Sequence, residues 1–358
     1  MDNSESAPAP GRSRHYRAGL WLTLALLAFA AWYLYRRAAG AGFEMDHFLR
    51  SVASADWRWL AAAWLFTMLS YYVRAVRWMV MLKPIAPGAS RAAVFRATAI
   101  GFSAVYLFGR PGELVRPYLI ARSSGVSFLS QMAAWLLERI YDTLIVLALF
   151  GYSLAAVVQT HPAVGPTLQW ILERGALITG IACSICFGAL LALQLYASRL
   201  EARILDALGF LKAHHHERVV RIVRAVVDGL RSAQCPKATS LLVLWSALEW
   251  FVIYLCFFAV LQAFPDTARL GPVEILTYIG FVAFGSLVQV PGLGGGFQIG
   301  ATLVLNELFH LPLELAASVA LLTWVVTLVG VVPVGAGLAF YEGLSWRSIL
   351  EIEKETSA

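Results

Sequence analysis

Residues 100–120 read IGFSAVYLFGRPGELVRPYLI. The stretch starts apolar, is interrupted by Gly109, Pro111 and Gly112, and carries Arg110, Glu113 and Arg116 around the break. Proline lacks a backbone donor and glycine adopts backbone angles closed to other residues, so a helix ends here. A second stretch has the same form. Ile279-Gly280-Phe281-Val282-Ala283 matches Ile100-Gly101-Phe102-Ser103-Ala104 at an offset of 179 residues, and Pro291-Gly292 matches Pro111-Gly112. Backbone outside a helix cannot face lipid, and must be buried in protein or line a wet cavity. Two such breaks predict two hairpins with a polar cavity between them.

Working outward, clean apolar runs occupy 18–35, 57–82, 128–158, 171–197, 240–263 and 313–341. Each is close to or above the roughly 20 residues that cross ~30 Å of hydrocarbon. Of the 358 residues 59% are hydrophobic and 14% charged, where an ordinary soluble domain has about 25% charged. The mean hydropathy is +0.68. A soluble fold could not cover so much apolar surface. The net charge of +6 would suggest nucleic acid in a soluble chain. Here the basic residues sit at the ends of apolar runs and in loops, where they set topology and meet anionic lipid. No nucleic-acid partner is expected.

The expected fold is an all-α polytopic membrane protein with about six full transmembrane helices and two re-entrant, broken helical hairpins. Three clean spans separate the hairpins, and an odd number inverts orientation. The layout is that of an inverted repeat, whose binding site forms where helices break near the midplane. Segment 198–239 carries eight Lys or Arg against four acids and is expected to be a cytoplasmic loop. Within it Val219, Ile222, Val223, Val226 and Leu230 fall at helical spacing, as in an amphipathic surface helix. Segment 159–170 has no Lys or Arg and should face outward. Residues 1–17 are expected to be a disordered cytoplasmic N-terminus, 18–341 the transmembrane domain and 342–358 a cytoplasmic tail, in a bacterial inner (plasma) membrane.

Ionisable side chains inside a membrane cost ~2.5–3.5 kcal/mol each on insertion scales and mark functional positions. Arg74 and Arg77 lie on the second span, Arg110, Glu113 and Arg116 at the first break, Glu138, Arg139 and Asp142 in ERIYD, and Glu249 in the fifth span. Glu138 and Asp142, four apart, share a helix face, as do Glu113 and Arg116. The bland expectation is a buried ion-pair network joining the second and third spans to the first hairpin. The tally is five arginines (74, 77, 110, 116, 139) against three acids (Glu113, Glu138, Asp142). A buried arginine surplus calls for an anion, and guanidinium binds phosphate through a bidentate fork. Broken helices offer free N–H groups to the same anion. The glycines 292, 294, 295 and 296 let backbone approach it closely. An anionic lipid headgroup is the natural partner.

Other signals are weak. Cys183 and Cys186 form CxxC inside an apolar run and read as small residues in helix packing, and His214–His216 read as a solvated loop. No GxxxxGK[ST], HExxH or GxSxG pattern occurs. No cofactor, metal or catalytic residue is expected.

The set GRPGELVRPY, ERIYD and PGLGGGFQ resembles the flippase-like family typified by the membrane domain of lysylphosphatidylglycerol synthases, over roughly residues 20–340. The resemblance implies movement of an anionic or modified lipid between leaflets, beside lipid-synthesis enzymes. It implies motif roles for Arg110, Gly112, Glu113, Arg116, Glu138, Arg139, Asp142, Pro291, Gly292, Gly294 and Gly295. Two departures matter. The chain stops after the membrane part, without the soluble aminoacyl-transferase domain, so synthesis is not expected. Where family members often carry Glu after the glycine run, this chain has Gln298. An amide there can bond a headgroup but cannot carry a proton. The competing readings are an intramembrane lipid-modifying transferase, with Glu113, Glu138 or Asp142 as base, and a non-transporting scaffold of an envelope-lipid pathway.

Overall fold

The computed structural model describes residues 43–160, 166–207, 220, 236–290 and 294–343. Among them are ten helices, and the protein is an all-α polytopic membrane protein. A short amphipathic helix, α1 (Met45–Ser54), buries none of its residues. It leads into α2 (Trp57–Leu82), which starts where the Asp56 carboxylate accepts from Arg58 N at 2.9 Å.

The first hairpin follows. α3 (Arg91–Phe108) is capped by Ser90 and stops at Gly109, whose φ of 71° closes the helix to most other residues. A 3-10 turn, Arg110–Leu114, reverses the chain into α4 (Val115–Ser124), which ends on left-handed Gly125. The two arms touch backbone to backbone. A Cβ on Gly112 would lie 2.4 Å from the Ala104 carbonyl, and one on Gly101 would lie 2.5 Å from Arg116 Cβ.

Three long helices come next: α5 (Phe128–Thr160), α6 (Pro166–Ala207) and α7 (Pro236–Gln262). The second hairpin has arms α8 (Pro272–Gly285) and α9 (Gly296–Leu303). At its tip β1 (Gln289–Val290) pairs antiparallel with β2 (Gly294–Gly295). A Cβ on Gly296 would fall 2.1 Å from Gly285 O, and one on Gly300 would fall 2.6 Å from Phe281 O. These glycines let the arms close on each other. A π turn, Val304–Leu308, leads to α10 (Leu313–Tyr341).

The repeat seen in two short motifs extends through the fold. α2, the first hairpin and α5 recur as α7, the second hairpin and α10. α2 and α7 begin 179 residues apart, at Trp57 and Pro236. They lie antiparallel, with Arg77 against Ser246 at 2.8 Å, Arg74 against Glu249 at 2.8 Å and Thr67 against Cys256 at 3.2 Å. These pairs are centred on Tyr72 and Phe251, themselves 179 apart, so a pseudo-twofold axis passes there and the repeats are inverted. Each hairpin packs its first arm on the last helix of the other repeat. Ser103 of α3 donates to Val331 O of α10 at 2.9 Å, while Gly280 of α8 lies against the Phe150 ring of α5. The tips meet where Arg110 Nη2 donates to Leu287 O at 3.2 Å.

Among the described residues α3, α5, α6, α7 and α10 are long and apolar enough to cross a membrane by length and composition. α2 has 26 residues but carries Arg58, Arg74 and Arg77. The run 18–35 and the amphipathic stretch 219–230, apart from residue 220, fall outside the described residues. The expected loop at 198–239 is corrected at its start, because α6 continues to Ala207. ASRLEARILDA consists mainly of strong helix formers, with no Gly or Pro, so the helix need not stop where the apolar run does. Lys83, Arg91, Arg122 and Lys237 gather at the ends of α2, α3, α4 and α7 on one side, the basic end of the bundle.

Gly112→Ala forces the first hairpin apart and should cost about 1–3 kcal/mol, seen as a lowered midpoint in a thermal melt in detergent. Gly180→Ala, on α6 with nothing within 4 Å, should leave the midpoint unchanged or raise it slightly.

Candidate functional site

Four helices bring their charges together between the hairpin and the α2–α7 pair. Arg77 on α2 is 1% exposed and sits among three carboxylates: Glu138 at 2.5 Å and Asp142 at 2.6 Å from α5, and Glu249 at 3.0 Å from α7. It also donates to Ser246 Oγ at 2.8 Å. Glu138 is fully buried and is held from its other side by Arg116 of α4. Arg139 reaches Asp142 at 3.0 Å and lies 3.9 Å from Glu138. Arg74 pairs with Glu249 at 2.8 Å. The four-residue spacing of Glu138 and Asp142 thus puts both on Arg77, as a shared helix face requires.

The cluster expected from the sequence leaves out Glu249. It belongs inside, and corrects the balance to five arginines against four acids. One positive charge remains over, not two. The signal was there: a lone acid in an apolar span needs a cation, and a span antiparallel to α2 brings it to Arg74 and Arg77.

Aromatic faces complete the arginine environment. The Arg116 guanidinium lies 4.1 Å from the Trp78 ring and 5.0 Å from the Phe102 ring, and the Arg74 guanidinium lies 4.8 Å from the same Phe102 ring. Phe102 lines two cavities. The smaller, about 70 Å³, is bounded by Gly101, Gly112, Glu113, Arg116, Trp135 and Arg139. The larger, about 200 Å³, lies between the hairpins and is lined by Ser70, Tyr71, Arg74, Tyr106, Trp250 and Ser286, with Phe297 and Thr327. Its polar side chains, Arg74 apart, are hydroxyls and the Trp250 indole. The Trp250 Nε1 donor is buried and has no hydrogen-bond partner among the described residues.

The remaining candidates sit further out. Arg110 and Glu113 pair at 3.5 Å at the first tip, with Arg110 61% exposed. Glu113 and Arg116 face the same small cavity, as their spacing requires. Gly112 lines that cavity and also permits the close packing of α3 on α4. Gly294 and Gly295 form β2 at the second tip, and Gln298 is half-buried on α9. Pro291 and Gly292 fall outside the described residues. Tyr71, Tyr106, Trp78, Phe102 and Ser246 were not singled out in the sequence, because neutral side chains in apolar spans carry no signal until neighbours are known.

The family model of the lysylphosphatidylglycerol synthase TM region matches residues 20–335. The chain belongs to this family. The match covers both hairpins and every charged residue of the network, and associates the chain with membrane lipids. No curated protein and no solved structure matches the chain.

Removing one member of a buried ion pair leaves its partner uncompensated, at ~3–5 kcal/mol. Glu138→Gln strips a carboxylate shared by Arg77 and Arg116 and should lower stability by that order in a denaturation series. Glu113→Gln, at an exposed pair, should cost under about 1 kcal/mol. Equal effects would mean that Glu138 does not anchor the cluster.

Proposed function

We propose that the chain carries an anionic lipid headgroup between leaflets along the two cavities, with the acyl tails left in lipid. The observation that carries this reading is the arrangement around Phe102: Arg116 and Arg139 face one cavity, Arg74 faces the other, and the Phe102 ring lines both. The arginine network holds a positive excess of one, which a phosphate can neutralise. The larger cavity adds neutral donors that bind phosphate or glycerol oxygens without a further charge to release.

Orientation follows from the basic end, which faces the cytoplasm if lysine and arginine mark the inner side. The hairpins then enter the membrane from opposite faces, and their broken backbone lines the cavity instead of meeting lipid. The inverted repeat provides two related arrangements of one scaffold, as alternating access requires. Transport down a gradient of the lipid itself needs no further part.

Proteoliposomes holding the full chain and labelled phospholipid should equilibrate anionic phosphatidylglycerol across the bilayer faster than empty liposomes. Arg74→Gln should slow exchange by roughly ten- to a hundredfold, the loss of one charge-assisted bond, and Arg74→Lys should restore part of it. Phe102→Ala, which removes the ring shared by the two cavities, should speed exchange and blur headgroup preference. Exchange at the empty-liposome rate for several headgroups would overturn the reading.

A further inference from the structure

A third cavity, the largest of those described, lies on another face of α2. It has a volume of about 520 Å³ and runs between α2, α3 and α7, lined by Tyr72, Val76, Met79, Val80, Phe95 and Trp245. On α2 these residues follow helical spacing along a stripe distinct from Ser70, Tyr71 and Arg74, which face the cavity between the hairpins. The groove ends at Lys83 and Arg91, the residues that close α2 and open α3. Both are exposed, and neither takes part in an ion pair among the described residues.

Length and charge identify the occupant. From Tyr72 to Lys83 is eleven residues, or ~16 Å at 1.5 Å per residue, close to half of a ~30 Å hydrocarbon core. A transmembrane helix laid here would need a groove about twice as long. A lipid of one leaflet fills it, with a tail along the apolar stripe and a headgroup at the rim. Two cations at that rim, unpaired among the described residues, select an anionic headgroup. They repel the apolar run 18–35 of the same chain, which is flanked by Arg12, Arg14 and Arg17 on one side and Arg36 and Arg37 on the other. We infer that this groove is a binding site for one anionic phospholipid of the leaflet at the basic end, with the phosphate between Lys83 and Arg91. The site is separate from the proposed transport path and does not depend on it. Its occupant packs against the outer side of the helix that carries Arg74 and Arg77.

Native mass spectrometry of the full chain, titrated with phosphatidylglycerol or phosphatidylcholine, tests the assignment. The wild type should retain phosphatidylglycerol in preference to phosphatidylcholine. The double variant Lys83→Gln, Arg91→Gln should bind phosphatidylglycerol roughly ten- to thirtyfold more weakly, the loss of two cations near an anionic headgroup. Val76→Trp, which fills the groove and keeps both cations, should weaken it as well. Leaflet exchange measured on the same double variant separates the two claims, since it should persist there whatever happens to retention. Retention unchanged in the double variant, as would follow if residues 18–35 or a second copy filled the groove, overturns the site. So does equal retention of phosphatidylcholine.

Discussion

A carboxylate with no exposed surface in the middle of an apolar bundle must be neutralised where it lies, and Glu138 sets this demand on the structure around it. Its partners come from two other elements, Arg77 of α2 and Arg116 of α4. Arg77 draws in Asp142 and, across the bundle, Glu249 of α7. Four elements are therefore tied at one point. None of them can move far without leaving a charge unpaired. The first hairpin, whose short arm α4 has only ten residues, is placed by this tie together with the buried Val115, Leu119 and Ile120 of that arm. Trp78 and Phe102 hold the guanidinium of Arg116 from the sides that carboxylates leave open.

The backbone repeats itself, but the charges do not. At the 179-residue offset Arg74 meets Ile253, Arg77 meets Cys256, Arg116 meets Gly295, Glu138 meets Ala317 and Asp142 meets Leu321. The second hairpin is held by other means. Its arms close through Gly285, Gly296 and Gly300, and its surroundings include the apolar core of Phe257, Phe264, Tyr278 and Leu305. Both halves close by tight packing, and only the first adds a buried ion-pair network. Both halves meet at the tips, through the bond from Arg110 to the Leu287 carbonyl.

Much of this was legible in the sequence, for definite reasons. Breaks at Gly109-Pro111 and Pro291-Gly292 are visible because proline and glycine act locally, whatever surrounds them. Helix faces follow from spacing alone, so Glu138 and Asp142 could be paired before any partner was known. Pairing across the bundle could not. Glu249 stands alone in its span, and only the antiparallel contact of α2 with α7 brings it to Arg74 and Arg77. The glycine run was read as an approach for a ligand; Gly296 instead serves the approach of one hairpin arm to the other. The start of the basic loop was misjudged because hydropathy ends where hydrocarbon ends, while helix propensity carries α6 on to Ala207. Phe102 and the hydroxyls around Arg74 gave no warning, since their meaning lies wholly in what they face.

The crossing of α2 and α7 at Tyr72 and Phe251 also gives a measure of depth. In an inverted repeat the pseudo-twofold axis lies in the plane of the membrane, so these two residues mark the midplane. Arg77 stands five residues from Tyr72, or ~7.5 Å along a helix rising 1.5 Å per residue. That is about halfway between midplane and interface in a hydrocarbon core of ~30 Å. Cys256 stands at the mirror depth in the opposite leaflet, where it meets the Thr67 hydroxyl and lines the larger cavity. An anion moving through the bundle would therefore meet an uneven electrostatic profile, with a deep well on one side of the midplane and an unrelieved dielectric slope on the other. On the proposed path, symmetry of the scaffold would supply a route in both directions. The sequence has furnished stopping points on only one half of it.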